Sequence, residues 1–308
     1  MNGSSFLTVC LNPCIQKTLV FPAFNLDAVN RTGEYRLDAS GKGVNVTRVL
    51  TQLGKDCVHL THLGGVFRPI YLDLAGRDNL RVEWVESSCS IRFAYTLLDR
   101  KEKTVTELIE ESERVGEETP ALLLDAFSSL LPNCSCLIIS GTMASGYGYS
   151  MIPEMVRKAR IAGRRVLLDI RGKDLLNSLS FGPDLIKPNL QEFVTTFAPE
   201  LASKNPSFAQ EKDLKTKIQD IWGDLYEMYP CALVLTRGED PVWYAEKGEL
   251  SEYRFEKVEP FNTTGSGDAF TAGLGAALEE GASLKDAVAQ GTRCGALNAA
   301  LLRPGVIF

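Results

Sequence analysis

Cys136-Leu137-Ile138-Ile139-Ser140-Gly141 is an unbroken apolar run that closes on small residues. A strand with one wet face alternates apolar and polar residues, so an unbroken run reads as a strand covered on both faces. Working outward, the periodicity predicts helices over 122–131 and 152–162, the second stopped by Gly163. Strands follow over 165–170 and 183–189, then a helix over 214–229 and a strand over 231–238. Toward the N-terminus, residues 6–11 read as a buried strand ending at Asn12-Pro13. Val46, Val49, Leu50 and Leu53 form a helical stripe that Gly54 ends. A strand over 57–63, a helix over 71–80 and a strand over 81–85 complete the set. Strand–helix alternation of this kind predicts a three-layer, Rossmann-like α/β fold with a mostly parallel central sheet and helices on both faces. Ligands bind such sheets beyond the carboxyl ends of the strands. Asn12, Gly64, Ser140, Asp169, Lys187, Asn189, Thr236 and Gly238 are expected there.

Two stretches interrupt the alternation. Residues 17–24 alternate apolar and polar and continue through a turn to 30–36, as a partly exposed antiparallel piece would. Residues 91–98 and 104–109 flank the polar turn Asp99-Arg100-Lys101-Glu102-Lys103. The insertions 13–37 and 89–111 are expected to pair into one small sheet. The segments 1–12, 38–88 and 112–308 would then make the core.

Composition removes several function classes. A net charge of −6 over 308 residues makes nucleic acid and anionic membrane poor partners, so an anionic substrate needs a local cationic site. No apolar run approaches the roughly 18 residues of a membrane span, and Met1–Ser5 has no leader layout, so a cytoplasmic location is expected. Eight cysteines include no C-x-x-C pair, which suits free core thiols better than disulfides or zinc. The two histidines, His59 and His62, share one strand and are better explained by packing than by catalysis.

Asn262-Thr263-Thr264-Gly265-Ser266-Gly267-Asp268-Ala269-Phe270-Thr271-Ala272-Gly273 reads as a tight turn opening a buried helix. Helix-opening amides lack internal partners and carry the positive end of the dipole, and glycines let an anion approach them. Asp268 at that mouth would repel a resident anion. It fits if the carboxylate takes a proton from a hydroxyl while the amides hold charge on a phosphoryl group in transfer. The plainer alternative is an N-terminal acidic residue after a glycine turn. The stretch is neither a Walker A loop nor a dinucleotide fingerprint. A second glycine-rich helix entry, Ser40-Gly41-Lys42-Gly43-Val44-Asn45, gathers amides, a cation and a side-chain amide. Those groups suit a polyhydroxylated or phosphorylated ligand, although a plain helix start would look similar.

Taken together, Leu11-Asn12-Pro13, Gly41-Lys42-Gly43-Val44-Asn45-Val46, Lys187-Pro188-Asn189 with Glu192, and Gly265-Ser266-Gly267-Asp268 resemble the ribokinase-like (PfkB-type) carbohydrate kinases along essentially the whole chain. Asn30-Arg31, Arg92 and Thr106-Glu107-Leu108 are similar to the branch holding 1-phosphofructokinase and tagatose-6-phosphate kinase. The resemblance implies a ribokinase-like fold with a small β-sheet lid. It implies ATP as co-substrate, Mg²⁺, and a homodimer formed through the lid. Asp268 would be the base, with Gly265, Ser266 and Gly267 forming the anion hole. Asn12, Gln16, Arg31, Gly41, Lys42, Gly43, Asn45, Arg92 and Ser140 would bind substrate. Lys187, Asn189, Thr236, Gly238, Gly265, Gly267 and Asn298 would bind ATP. Asn189 and Glu192 would reach the Mg²⁺ through water. The implied reaction phosphorylates fructose 1-phosphate or tagatose 6-phosphate. Four positions depart from the family pattern: Gln16 stands for an aspartate, Ser40 and Pro241 for glycines, and Ala94 for an asparagine. They leave open an unphosphorylated sugar or nucleoside as acceptor, or a non-catalytic binding protein on the same fold.

Overall fold

Alternate side chains of each central strand enter opposite cores. Phe6, Cys136, Ile138 and Leu167 face one apolar cluster, while Leu7, Val9, Leu137, Ile139, Val166 and Leu168 face another. This is the period-two geometry of a strand buried on both sides. The computed structural model describes residues 5–202 and 211–308. The strands are β1 (Ser5–Cys10), β2 (Cys14–Phe21), β3 (Glu34–Ser40), β4 (Asp56–Leu63), β5 (Arg81–Glu86), β6 (Arg92–Asp99), β7 (Thr104–Ile109), β8 (Cys136–Ser140), β9 (Arg165–Asp169), β10 (Leu185–Ile186), β11 (Ala232–Arg237), β12 (Asp240–Ala245) and β13 (Ser251–Tyr253). The helices are α1 (Lys42–Gln52), α2 (Arg68–Arg77), α3 (Thr119–Leu130), α4 (Met151–Ile161), α5 (Gly172–Leu179), α6 (Leu190–Phe197), α7 (Pro199–Ala202), α8 (Glu211–Met228), α9 (Ser266–Glu279) and α10 (Leu284–Ala299).

The large sheet runs β13-β12-β11-β10-β9-β8-β1-β4-β5. From β11 to β5 the pairs are parallel; β12 and β13 add an antiparallel edge. Helices α1, α9 and α10 cover one face, and α3, α4, α5, α6 and α8 the other. Helices α9 and α10 approach closely because Gly273 has no side chain: a Cβ there would lie 2.7 Å from the Cys294 sulfur.

The two insertions form a second sheet, β3-β2-β6-β7. Each insertion contributes an antiparallel pair, but they join through β2 and β6, which run parallel. The antiparallel piece expected over 17–36 is the β2–β3 pair, and the two insertions do pair into one small sheet. The central pair cannot be antiparallel hairpin strands, because β2 and β6 are separated by a long excursion through the large sheet. Two strand boundaries also shift: β2 begins at Cys14 rather than 17, and β3 runs to Ser40 rather than ending at 36. The expected strand at 183–189 is only Leu185–Ile186.

His59 and His62 lie in β4, and burial pushes them down to about 3 and about 4, so both are neutral at physiological pH. All eight cysteines are free and buried. Among the described residues, no helix is long and apolar enough to cross a membrane.

Candidate active site

Gly265 caps α9 in a left-handed conformation (φ 83°). A Cβ at Gly265 would sit 2.7 Å from the Gly305 backbone nitrogen, so only glycine gives this turn without strain. The Ser266 amide is spent on the Thr263 carbonyl at 3.1 Å, while those of Gly265, Gly267 and Asp268 have no acceptor among the described residues. A Cβ at Gly267 would point into open space, which leaves those amides approachable. Of the three residues expected to form the anion hole, Gly265 and Gly267 keep approachable amides and Ser266 does not, while Asp268 supplies a third.

Asp268 lies in that first turn and is only 6% exposed. Asn45 Nδ2 donates to its Oδ2 at 2.8 Å. Around it stand two cations and two further carboxylates. Lys187 Nζ is 3.3 Å from Asp169 Oδ1; Lys42 Nζ is 4.0 Å from the same oxygen and 3.3 Å from Glu192 Oε1. Ser140 and Thr271 hydroxyls donate to Asp169 Oδ2 at 3.1 and 2.9 Å. Burial alone would raise the Asp169 carboxyl, but Lys187 and Lys42 hold it below the usual range. Burial raises Asp268 to about 7, with Asp169 adding to the shift and Lys42, Asn45 and Lys187 opposing it. The cations stabilise Asp169 directly and Asp268 only at a distance. One carboxylate is thus locked as a permanent anion, and its neighbour is poised to exchange a proton near neutrality.

Two cavities adjoin this cluster. One, of about 550 Å³, is lined by Asn189, Gln191, Thr236, Arg237 and Gly238 among others. A bridge between Asn189 and Thr236 brings the start of α6 beside the end of β11. Asn189 and Glu192 form a capping box: Asn189 Oδ1 accepts from the Glu192 amide at 2.8 Å, and Glu192 Oε2 accepts from the Asn189 amide at 2.9 Å. The other cavity, of about 460 Å³, runs from Ser266 and Gly267 to an apolar end with Val242, Phe255, Val258 and Ala296. An apolar slot leading to free amides suits a flat base joined to phosphates.

Residues 9–305 match the model of the pfkB family carbohydrate kinases. The chain belongs to the pfkB family. It is an ATP-dependent sugar kinase. Its fold is similar to that of phosphofructokinase-2 from Escherichia coli in its tetrameric inhibited form (19% identity, TM-score 0.83, covering 96% of this chain and 94% of that one). It is also similar to a Thermotoga maritima protein described as a possible 1-phosphofructokinase (22% identity, TM-score 0.83, 97% and 93%). The ribokinase of Thermotoga maritima aligns at 17% identity and a TM-score of 0.71, over 98% and 95%.

Within this pfkB-family kinase the expected site residues other than Gly265, Ser266, Gly267 and the cavity residues Asn189, Thr236 and Gly238 fall into three groups. Asn12, Gly41, Lys42, Gly43, Asn45, Lys187, Glu192 and Asp268 surround or adjoin the carboxylate cluster. Asn12 donates to the Thr142 hydroxyl at 3.3 Å and keeps a buried Oδ1 that has no partner among the described residues. Gln16 is buried, and its amide donates to the Thr96 hydroxyl on β6. Gln16 lies directly opposite Ala94 on β6, so the longer side chain sits beside the smaller one. Arg92 stands in the innermost row of the second sheet, with Cys14 and Ser40. Its Nη1 donates to the Glu110 carbonyl at 2.8 Å, and its buried Nε meets no acceptor among the described residues.

The second group supports the site from beneath. Ser140 is 1% exposed and bonds Asp169. Asn298 is fully buried; its Nδ2 donates to the Arg303 and Val306 carbonyls at 3.0 Å each, and its Oδ1 accepts from Ser266 at 3.3 Å. It ties the C-terminal segment to the anion-binding turn. The third group is Arg31 alone. It is exposed in the connection between β2 and β3, at the end of the second sheet away from Ser40. Asp169 is the residue that the sequence reading did not assign a role. Its place at the carboxyl end of β9 was the available signal.

Proposed function

We propose that this kinase transfers the γ-phosphoryl group of ATP to a hydroxyl of a ketohexose phosphate, fructose 1-phosphate or tagatose 6-phosphate, giving the bisphosphate. The observation that carries the reading is Asp268, a buried carboxylate raised to about 7 beside three unpaired amides. In the reaction, the acceptor oxygen bonds to the γ-phosphorus, the bond from that phosphorus to the ADP oxygen breaks, and the hydroxyl proton passes to Asp268. The amides of Gly265, Gly267 and Asp268 stabilise charge on the phosphoryl oxygens, and positioning supplies most of the rest. The apolar cavity takes the base, and Thr236, Gly238 and Asn189 face the phosphates. Arg92, whose buried Nε–H beside the Gly41 loop meets no acceptor among the described residues, supports an acceptor that already carries a phosphate.

Among the described residues no three acidic, cysteine or histidine side chains converge as a metal cage. Asn189 and Glu192 at the start of α6 supply an amide and one carboxylate, a donor set that fits Mg²⁺ carried on ATP phosphates, which keeps several waters and asks for one or two carboxylates. Asn189 and Glu192 would reach it through water, and it would neutralise charge on the β- and γ-phosphates. The second sheet is read as a lid over the acceptor. Tyr35, Leu108 and Ile109, all exposed on it, suit a homodimer contact. Eight unpaired cysteines suit a reducing compartment such as the cytoplasm. The test is Asp268→Asn: turnover is expected to vanish while ATP binding, followed by calorimetry, stays within a few-fold. A variant that kept most of its kcat would remove Asp268 as the base.

A further inference from the structure

Asn45 can help Asp268 only if its amide points the right way round. A side-chain amide has one acceptor atom and one donor atom of nearly equal size, and rotation by half a turn exchanges them. In this chain the orientation is set from behind. Arg48, one turn further along α1, is 2% exposed. Its Nη1 donates to Asn45 Oδ1 at 2.9 Å. A guanidinium has no acceptor, so the atom facing it must be the amide oxygen, and the nitrogen is left for Asp268. The Ser40 hydroxyl, 3.4 Å from the same oxygen, adds to this.

The guanidinium is itself held on every side. Its Nε donates to Asp78 Oδ2 at 2.8 Å, its Nη2 to the Ala39 carbonyl at 2.6 Å, and its Nη1 also to the Pro304 carbonyl at 3.4 Å. Asp78, just past α2, also accepts from Arg303 Nη2. Arg303 Nε lies 2.8 Å from Asp38 Oδ1, and Arg36 Nε lies 3.0 Å from the same carboxylate. Asp38 and Ala39 belong to β3. The ion chain therefore joins the base of the second sheet, α2, the C-terminal segment and α1, and one fork of it ends on the residue that touches Asp268.

We propose that Arg48 is a positioning residue for phosphoryl transfer: it holds the Asn45 amide so that nitrogen, not oxygen, meets Asp268, and the chain through Asp78, Arg303 and Asp38 fastens that arrangement to the second sheet. The inference rests on Asp268 being the base. Without Arg48 the amide can turn its oxygen toward Asp268. That contact favours the protonated acid and withdraws the base. The other groups facing Asp268 are Lys42 from α1, Asp169 from the end of β9, Lys187 from the end of β10, and the thiols of Cys10 and Cys14. None of them bonds Arg48, so its removal leaves them in place.

The experiment measures kcat and KM across about pH 5.5 to 9 with Mg-ATP. The acceptor is whichever of fructose 1-phosphate, fructose 6-phosphate and tagatose 6-phosphate turns over fastest. It compares wild type with Arg48→Met, Arg48→Lys, Asn45→Ala, Asp268→Asn and the double variant Arg48→Met/Asn45→Ala. Arg48→Met is expected to lower kcat at pH 7 about tenfold with KM for ATP little changed, and to move the acidic limb up by about one pH unit. The double variant should be no slower than Asn45→Ala alone, because Arg48 acts through Asn45. Independent, multiplying effects or an unmoved limb would overturn the proposal. If loss of the buried cation prevents Arg48→Met from folding, Arg48→Lys decides. A lysine can meet Asp78 but cannot also span to Asn45 and Ala39, so the limb shift should persist. A lysine variant with the wild-type profile would overturn the proposal. Turnover by Asp268→Asn would instead sink the base assignment itself. A dead Asp268→Asn alongside an unshifted Arg48 profile counts against Arg48 alone.

Discussion

Asp268→Asn should make this protein more stable at neutral pH while it abolishes turnover. The carboxyl has a usual value of 3.8 and is raised to about 7 in the folded chain, chiefly by burial. Between those two values the unfolded chain has lost the proton and the folded chain still holds it. Stability contributed by this group is complete below about pH 4, falls as pH rises, and is lost once pH passes about 7. At roughly 1.4 kcal/mol per unit, the shift corresponds to as much as ~4 kcal/mol of destabilisation at pH 8. Coupling to Asp169, Lys42 and Lys187 spreads the effect, so a gain on the order of 2–4 kcal/mol is the reasonable expectation. The substitution preserves shape, and the new amide oxygen can still accept from Asn45, so no cavity offsets the gain. Urea unfolding of wild type and variant, followed by far-ultraviolet circular dichroism at several pH values, reads the difference directly. The two should be nearly equal near pH 4 and diverge up to about pH 7. A variant less stable than wild type at pH 8, or a difference that does not change with pH, would show that burial does not raise this carboxyl.

Three further outcomes follow from the same geometry. Gly265→Ala places a side chain at φ 83° against the Gly305 backbone. It should cost about 1–2 kcal/mol of stability and lower kcat on the order of a hundredfold as the free amides shift, measured by unfolding and steady-state kinetics. Arg92→Ala should raise KM for the phosphorylated acceptor about tenfold, the worth of one charge-assisted hydrogen bond, with KM for ATP nearly unchanged. Equal effects on both would take Arg92 out of the acceptor site. The wild-type kcat/KM should rise with pH to a plateau, with an acidic limb near 7 set by Asp268; a limb near 4 would show that this carboxyl is not shifted.

The layered core was readable because parallel strands buried on both faces write themselves as continuous apolar runs, as in 136–141. Both glycine-rich helix starts were readable because positive φ and close approach leave few other residues acceptable. The strand β12 escaped because Asp240 and Pro241 open it with a charge and a residue that breaks most sheets, tolerated here beside the β11 turn. The parallel pairing of β2 with β6 was not legible, since the direction of contact between distant segments depends on the path of the whole chain. Local pattern also does not say whether a polar residue faces a ligand or another side chain. Ser140 and Asn298, expected at the ligands, also bond Asp169 and the C-terminal segment, contacts that local pattern did not show. Asn45, expected at the sugar, holds Asp268. Asp169 was expected at the ligand end of its strand but given no role, because a lone acidic residue after an apolar strand carries no signal of the two lysines that converge on it from separate elements.

The proposed reaction is phosphoryl transfer from ATP to a sugar that already carries a phosphate. It is tested most directly by following ADP release and product mass with Mg-ATP and, in separate reactions, fructose 1-phosphate, fructose 6-phosphate, tagatose 6-phosphate, fructose, ribose and a nucleoside. A bisphosphate is expected from fructose 1-phosphate or tagatose 6-phosphate, with the unphosphorylated acceptors at least a hundredfold slower, on the order expected when buried polar groups lose their partners. Faster turnover of free fructose, ribose or the nucleoside, or no turnover of any acceptor by a chain that still binds ATP, would contradict it.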